Sequence, residues 1–197
     1  MSIQIMCPQL LYPTILIAGA FLGALSTATP TSNSATDIDV PEGLKIMAVT
    51  ESAGVQLVWY GDADSASTAN STSDLETPSL SRRCGSNMPK CYSSYQAYAL
   101  TCEALLNGLL TSGSLLRTSP RSVCSTIGGY MGNRCCTSWA DNLLNGHYYN
   151  LQNGAEAILN KCRTNEGWVS GKSYDTLLGS TCTTQCLSNR PNSCNNG

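Results

Sequence analysis

The sequence predicts a small α+β domain: two helices packed on one face of an antiparallel sheet, with disulfides doing what a large hydrophobic core does elsewhere. Three observations lead there. The 197 residues include 11 cysteines, a load that belongs to oxidising compartments. Short runs with the strand period of two and two runs with the helical period follow one another in mixed order, the pattern of helices set against an antiparallel sheet. Charged residues make up only 12% of the chain, while Gly, Ser, Thr and Asn are plentiful, which suits a loop-rich extracellular domain.

The apolar run from Leu10 to Leu25, followed by Ser26-Thr27-Ala28, reads as a signal peptide over residues 1–28. At about 16 residues the run is short for a membrane span of about 20, although no Lys or Arg precedes it. Cleavage there removes Cys7 and the only Phe, Phe21. It leaves Cys84, Cys91, Cys102, Cys124, Cys135, Cys136, Cys162, Cys182, Cys186 and Cys194. Ten is even, so five bridges are expected, in a connectivity that spacing alone does not determine. Zinc is the rival use of clustered cysteine. It fits poorly, because there is no C-x2-C pair and His147 is the only histidine. No metal and no cofactor is expected. The chain ends in polar residues, without the apolar tail that a lipid anchor signal requires, so no membrane span is expected after signal cleavage.

Residues 29–83 form an acidic segment that is partly disordered by composition and a candidate pro-segment. Within it, Leu44–Thr50 and Val55–Tyr60 read as a hairpin over 44–60 joined by Glu51–Gly54. Val55, Leu57 and Trp59 share one face. A lone hairpin is marginal in water, so an ordered one must pack on the cysteine-rich region. The following linker carries the sequon at Asn70, a glycosylation candidate, and ends at Arg82-Arg83, a candidate processing site in an exposed polar stretch. Residues 29–83 have a net charge of −5 and residues 84–197 a net charge of +3. A mildly basic domain suits anionic surfaces but lacks the dense cationic stripe of a nucleic-acid binder, and no nucleic acid partner is expected.

Residues 84–197 are the expected cysteine-rich α+β domain. Tyr95, Tyr98, Cys102, Leu105 and Leu109 repeat at helical spacing, predicting a core-facing helix over Ser94–Thr111 with Ser93 and Gln96 as a capping box. A second helix is predicted over Gly154–Lys161, capped by Asn153 with Glu156 at the capping-box position, and with Ala155, Ile158 and Cys162 inward. Ser122–Ile127 and Arg134–Trp139 read as strands. Cys135 and Cys136 are neighbours on the second of these and must point to opposite faces. They therefore bridge to different elements, one inward to a helix and one outward, since a bond between them would be strained. Cys182–Cys186 reads as a last strand or turn pinned at both ends.

Signals of chemistry are weak. A nucleophilic triad must use His147, which sits in the loop-like Asn145–Tyr149, and no G-x-S-x-G elbow is present. A ribonuclease-like set could draw on Glu103, Glu156, Arg121 and Arg134, but their spacing does not select them. A glycosidase needs two facing carboxylates, and the domain offers Glu103, Asp141, Glu156, Glu166 and Asp175. Gly167–Ser173 imitates a phosphate loop with one residue too few between its glycines, and Lys172 reads as a solvated loop lysine. No catalytic residue is assigned.

Arg83–Asn87, Ser119–Cys124, Arg134–Trp139 and Cys182–Asn189, with Gly54–Gly61 upstream, together resemble the fungal secreted cysteine-rich proteins labelled "WD-like domain". The resemblance implies secretion and a cysteine-rich fold, no WD-repeat propeller and no known catalytic residues. At the level of architecture the layout is also similar to killer-toxin-like and necrosis-effector domains, which does not determine function. The expectation is an effector-like or toxin-like protein that binds a host or competitor surface molecule. A small secreted hydrolase and a structural cell-wall protein are the alternatives.

Overall fold

The computed structural model describes Ile38, residues 40–63, 84–111, 121–127, 133–143 and 146–194. The signal-peptide stretch, Asn70 and Arg82-Arg83 lie outside the described residues.

The hairpin forms as its alternation requires. Strand β1 (Leu44–Ser52) pairs with β2 (Val55–Asp62) through the two-residue turn Ala53-Gly54. Both turn residues have positive φ, 52° and 72°, as the hairpin turn that matches strand twist demands. The loop is thus two residues rather than four, because Glu51 and Ser52 stay in register with Gln56 and Val55. β2 in turn pairs with β5 (Ser122–Thr126), from Leu57 opposite Ser125 to Tyr60 opposite Ser122. Beyond β5 come β6 (Arg134–Trp139), β9 (Thr181–Ser188), β8 (Gly171–Leu178) and β3 (Met88–Cys91). The result is a fully antiparallel seven-stranded sheet of order β1-β2-β5-β6-β9-β8-β3. A small second sheet joins β4 (Ala97–Tyr98) to β7 (Trp168–Val169).

Strand, not helix, dominates the fold. The reading from sequence passed over β3, β7 and β8. In β8 the buried positions are Gly171, Ser173, Thr176 and Leu178, and the first three are small or polar residues that leave no apolar alternation to read. Lys172 accordingly stands on a strand and not in a loop.

Both helices are present, with corrected starts. Helix α1 spans Ala99–Thr111, five residues later than expected. The chain before it takes a left-handed step at Tyr95 (φ 54°), and Ala97-Tyr98 is drawn into pairing with β7, so Ser93 and Gln96 cap nothing. The Ala99 N–H donates instead to the Gly167 carbonyl at 2.8 Å. Cys102, Leu105 and Leu109 are fully buried as expected, whereas Tyr95 is half exposed. Helix α2 spans Gln152–Cys162 and is entered directly from a one-turn 3-10 helix, Tyr148–Leu151. Asn153 therefore lies inside the helix and is not its cap.

Alternation along the strands divides the buried side chains into two groups. One holds Leu57, Trp59, Val123, Cys135 and Leu187 together with Cys102, Leu105 and Leu109 of α1 and Ala155 and Ile158 of α2. The other holds Leu44, Val58, Tyr60, Cys124 and Cys136. Cys135 and Cys136 are thereby separated. Cys135 meets Cys102 on α1 and Cys136 meets Cys124 on β5, with Cα atoms 5.1 and 4.0 Å apart. Cys84 pairs with Cys182, Cys91 with Cys162 and Cys186 with Cys194, so all ten expected cysteines stand at disulfide distance. Cys182 and Cys186 pin β9 at both of the expected points.

Candidate functional site

Three surface hollows among the described residues differ in chemistry. The first, of about 370 Å³, lies beside the β8 bulge and contains Asp141, Asp175 and Tyr174. Two of the five carboxylates considered from sequence thus share one groove. Asp141 is exposed, and water around it leaves none of the burial that separates acid and base roles in a carboxylate pair. The second, of about 420 Å³, runs between the helices and contains Glu103, Glu156 and Arg163. There Arg163 donates to Glu103 at 2.5 Å, an exposed ion pair of small energetic value.

The third is a cleft of about 230 Å³ with a different lining. Tyr92, Ser94 and Tyr95, between β3 and β4, form one wall. Lys172 enters from β8, opposite Cys186 on β9. Arg190, Asn192 and Ser193 come from the segment after β9, which the Cys186–Cys194 bridge ties back to the sheet. The guanidinium carbon of Arg190 lies 3.5 Å from the centre of the Tyr95 ring, within cation–π range. The Asn189 N–H donates to the Tyr95 carbonyl at 2.9 Å. Ser188 closes the turn: its hydroxyl accepts from the Arg190 N–H at 3.1 Å, and it also contacts the Ser193 hydroxyl. The Ser193 hydroxyl donates to the Arg190 carbonyl at 2.9 Å.

Tyr92 and Tyr174 extend this surface, with hydroxyls 3.3 Å apart. That hydrogen bond, and then burial, hold the Tyr92 phenol above its ordinary pKa of 10.0. Lys90, opposite Lys172 in register, lies 5.7 Å from the Tyr92 ring centre. No carboxylate lines the cleft, and neither Lys172 nor Arg190 has a salt-bridge partner among the described residues.

His147, Arg121 and Arg134 line neither carboxylate groove. His147 precedes the 3-10 helix with its ring stacked on Tyr149 at 5.0 Å, and no ring hydrogen bond to a carboxylate occurs among the described residues. The backbone N–H of His147 goes to Asn150 Oδ1 at 2.8 Å. Arg121 donates to the Ala140 carbonyl at 2.6 Å and to Asn142, and approaches Asp62 at 3.5 Å. Arg134 donates to the Asn189 carbonyl at 3.0 Å. Glu103 is engaged by Arg163, so the ribonuclease-like set is not assembled. No group of three or more His, Cys, Asp or Glu with metal-holding geometry occurs among the described residues.

Residues 42–194 match the model of the family described as Fungal WD-like. The chain belongs to the fungal WD-like family. No curated protein and no solved structure matches it. The match begins at Glu42, just before β1, so the hairpin belongs to the fungal WD-like unit as much as the cysteine region does. The sheet of this fungal WD-like protein is open, with β1 and β3 as its edges, and not a closed propeller. The cleft is not legible in the sequence because its walls come from three segments, residues 92–95, 170–172 and 186–193, that only the fold brings together. The one local signal was Tyr95, an aromatic in an otherwise polar Ser-Ser-Tyr-Gln run.

Proposed function

We propose that this protein is a secreted, effector-like or toxin-like binding module that docks on a host or competitor surface molecule through the Tyr95–Arg190 cleft. The observation that carries the reading is Arg190, stacked on a half-exposed tyrosine, held by a closed turn and a cysteine bridge beside an unpaired lysine. Side chains held in place before binding lose little freedom when a ligand arrives. Ten cysteines paired at bonding distance support an oxidising, extracellular setting, with residues 1–28 removed as a signal peptide. No helix among the described residues is long and apolar enough to cross a membrane.

The two buried groups support a layout in which both helices cover one face of the sheet and leave the cleft on the other. Lys172 and Cys186 alternate with Gly171 and Leu187, and Leu187 joins the helix-bearing group. On this reading the hairpin is a permanent part of the fold, and any processing at Arg82-Arg83 cuts a linker rather than releasing a pro-segment.

The test is binding of fluorescently labelled, disulfide-intact protein to plant cells and to competing microbes. The wild type should label a surface that Arg190→Gln labels at least severalfold less, with Asp141→Asn unchanged. Equal labelling by all three would overturn the assignment of the cleft. A hydrolase is the second reading, favoured by Asp141 and Asp175 sharing a groove. Polysaccharide cleavage lost in Asp141→Asn or Asp175→Asn would promote it.

A further inference from the structure

We infer that the Tyr95–Arg190 cleft binds an acidic sugar, the carboxylate of a hexuronate unit lying between Lys172 and Arg190. The inference rests on the cleft being the recognition site and names what it recognises. Several features converge. Lys172 and Arg190 line the cleft and have no salt-bridge partner among the described residues, which leaves two cationic donor groups for one anion. A guanidinium presents a planar fork that matches a carboxylate in two parallel hydrogen bonds. Stacking on Tyr95 holds that fork in a restricted orientation.

Ser94, Ser170, Ser193 and Asn192 supply groups that both donate and accept, as a ring of sugar hydroxyls requires. Tyr92 and Tyr95 add flat surfaces for the apolar faces of a sugar ring. The volume, about 230 Å³, is below the roughly 300–1,000 Å³ of a site for a drug-sized molecule. It admits one sugar unit, with the remainder of a chain passing outside. An acyl chain would leave the cationic and hydroxyl groups of this lining without partners, and a nucleic acid finds no cationic stripe.

Tyr95 gives an independent indication. Its backbone is left-handed at φ 54°, a conformation rare for a bulky residue and concentrated at functional sites. The Asn189 N–H and the Arg190 side chain hold it there. The step places the Tyr95 ring half in solvent at the cleft, where a helix over Ser94–Thr111 would have buried it.

The experiment is calorimetric titration of the disulfide-intact protein with a galacturonic acid oligomer. Its fully methyl-esterified counterpart and inorganic sulfate are the parallel titrants, and each variant is also tested for cell-surface labelling. The acid oligomer should bind, the ester at least tenfold more weakly, and sulfate only as a weak competitor. Arg190→Gln and Lys172→Gln should each weaken binding about tenfold or more. Tyr95→Asn, which keeps a residue tolerant of the left-handed backbone, should weaken it while near-ultraviolet circular dichroism stays native. Equal binding of acid and ester, or tight sulfate binding with no added affinity for the sugar, would overturn the inference. No saccharide binding, with cell-surface labelling still lost in Arg190→Gln, would overturn the ligand class and leave the docking function standing. Labelling unaffected by Arg190→Gln would remove both.

Discussion

Arg190 lies 3.5 Å over the ring of Tyr95, and the residue before it, Asn189, donates its N–H to the Tyr95 carbonyl at 2.9 Å. One short segment after β9 therefore grips both the side chain and the backbone of a single tyrosine. Holding a non-glycine residue in a sparsely populated backbone region costs about 1–3 kcal/mol, and this cost is local to the cleft.

Substitution at position 95 should separate backbone tolerance from recognition. Tyr95→Asn should unfold within about 1 kcal/mol of the wild type, because Asn accepts positive φ. Tyr95→Val should lose about 1–3 kcal/mol more, because a β-branched residue does not. Urea denaturation of the two variants checks the order; equal stability would show that the left-handed step relaxes freely.

Gly154 offers a test of the packing between α2 and the sheet. A methyl group there would lie 2.5 Å from Gln185 Oε1 and 2.7 Å from Thr176 Oγ1. Gln185 is fully buried and its amide donates to Thr137 Oγ1 and to the Leu151 carbonyl, so it cannot swing away without breaking both bonds. Gly154→Ala should therefore destabilise by about 1–3 kcal/mol, against the gain of about 1 kcal/mol that Ala brings to an exposed helix interior. Thermal unfolding decides the sign.

The hairpin should stay bound after a cut in the linker. Residues 40–63 contain no cysteine, so non-covalent contacts hold them: strand pairing, burial, and the side-chain links of Asp62 to Arg121 and of Ser52 to Thr111. Leu57 and Trp59 are almost fully buried, the Trp59 ring is 4.3 Å from that of Tyr148, and its indole N–H donates to Thr50 at 2.9 Å. Protein cleaved after Arg82-Arg83 should elute as one species in native gel filtration and as two in denaturant without reductant. Trp59→Ala should cost about 3–5 kcal/mol and release the hairpin from the cleaved form.

Tyr92 should report on the rim of the cleft at alkaline pH. Its folded pKa is raised, first by the hydrogen bond with Tyr174 and then by burial, above an unfolded value of about 10. A raised phenol pKa means that the neutral form is favoured in the fold. This contribution is complete below pH 10 and is lost as pH rises through the folded value. Tyrosinate absorbance should show late titration of both Tyr92 and Tyr148, which burial also raises, and Tyr174→Phe should move only the Tyr92 step earlier. An unchanged titration in Tyr174→Phe would contradict the assignment.

Elements with apolar alternation were legible in the sequence: β2 through Val55, Leu57 and Trp59, β6 through Arg134–Trp139, and the opposed bridges of Cys135 and Cys136. The start of α1 was misread because a capping-box pattern is local, whereas Tyr95 is held by Asn189 and Arg190, more than ninety residues away in sequence. β8 shows no apolar alternation because Gly171, Ser173 and Thr176 occupy three of its four buried positions. The cleft escaped for the related reason that Tyr92, Lys172 and Arg190 meet only once β3, β8 and β9 have paired. Each alone reads as an ordinary solvated side chain.

The most direct test of the account is backbone amide NMR of the disulfide-intact protein, titrated with the galacturonic acid oligomer. The account predicts that the largest shift changes cluster at Tyr92, Tyr95, Lys172 and Arg190. Changes centred on Asp141 and Asp175, or around His147, would contradict it, as would a spectrum that does not respond.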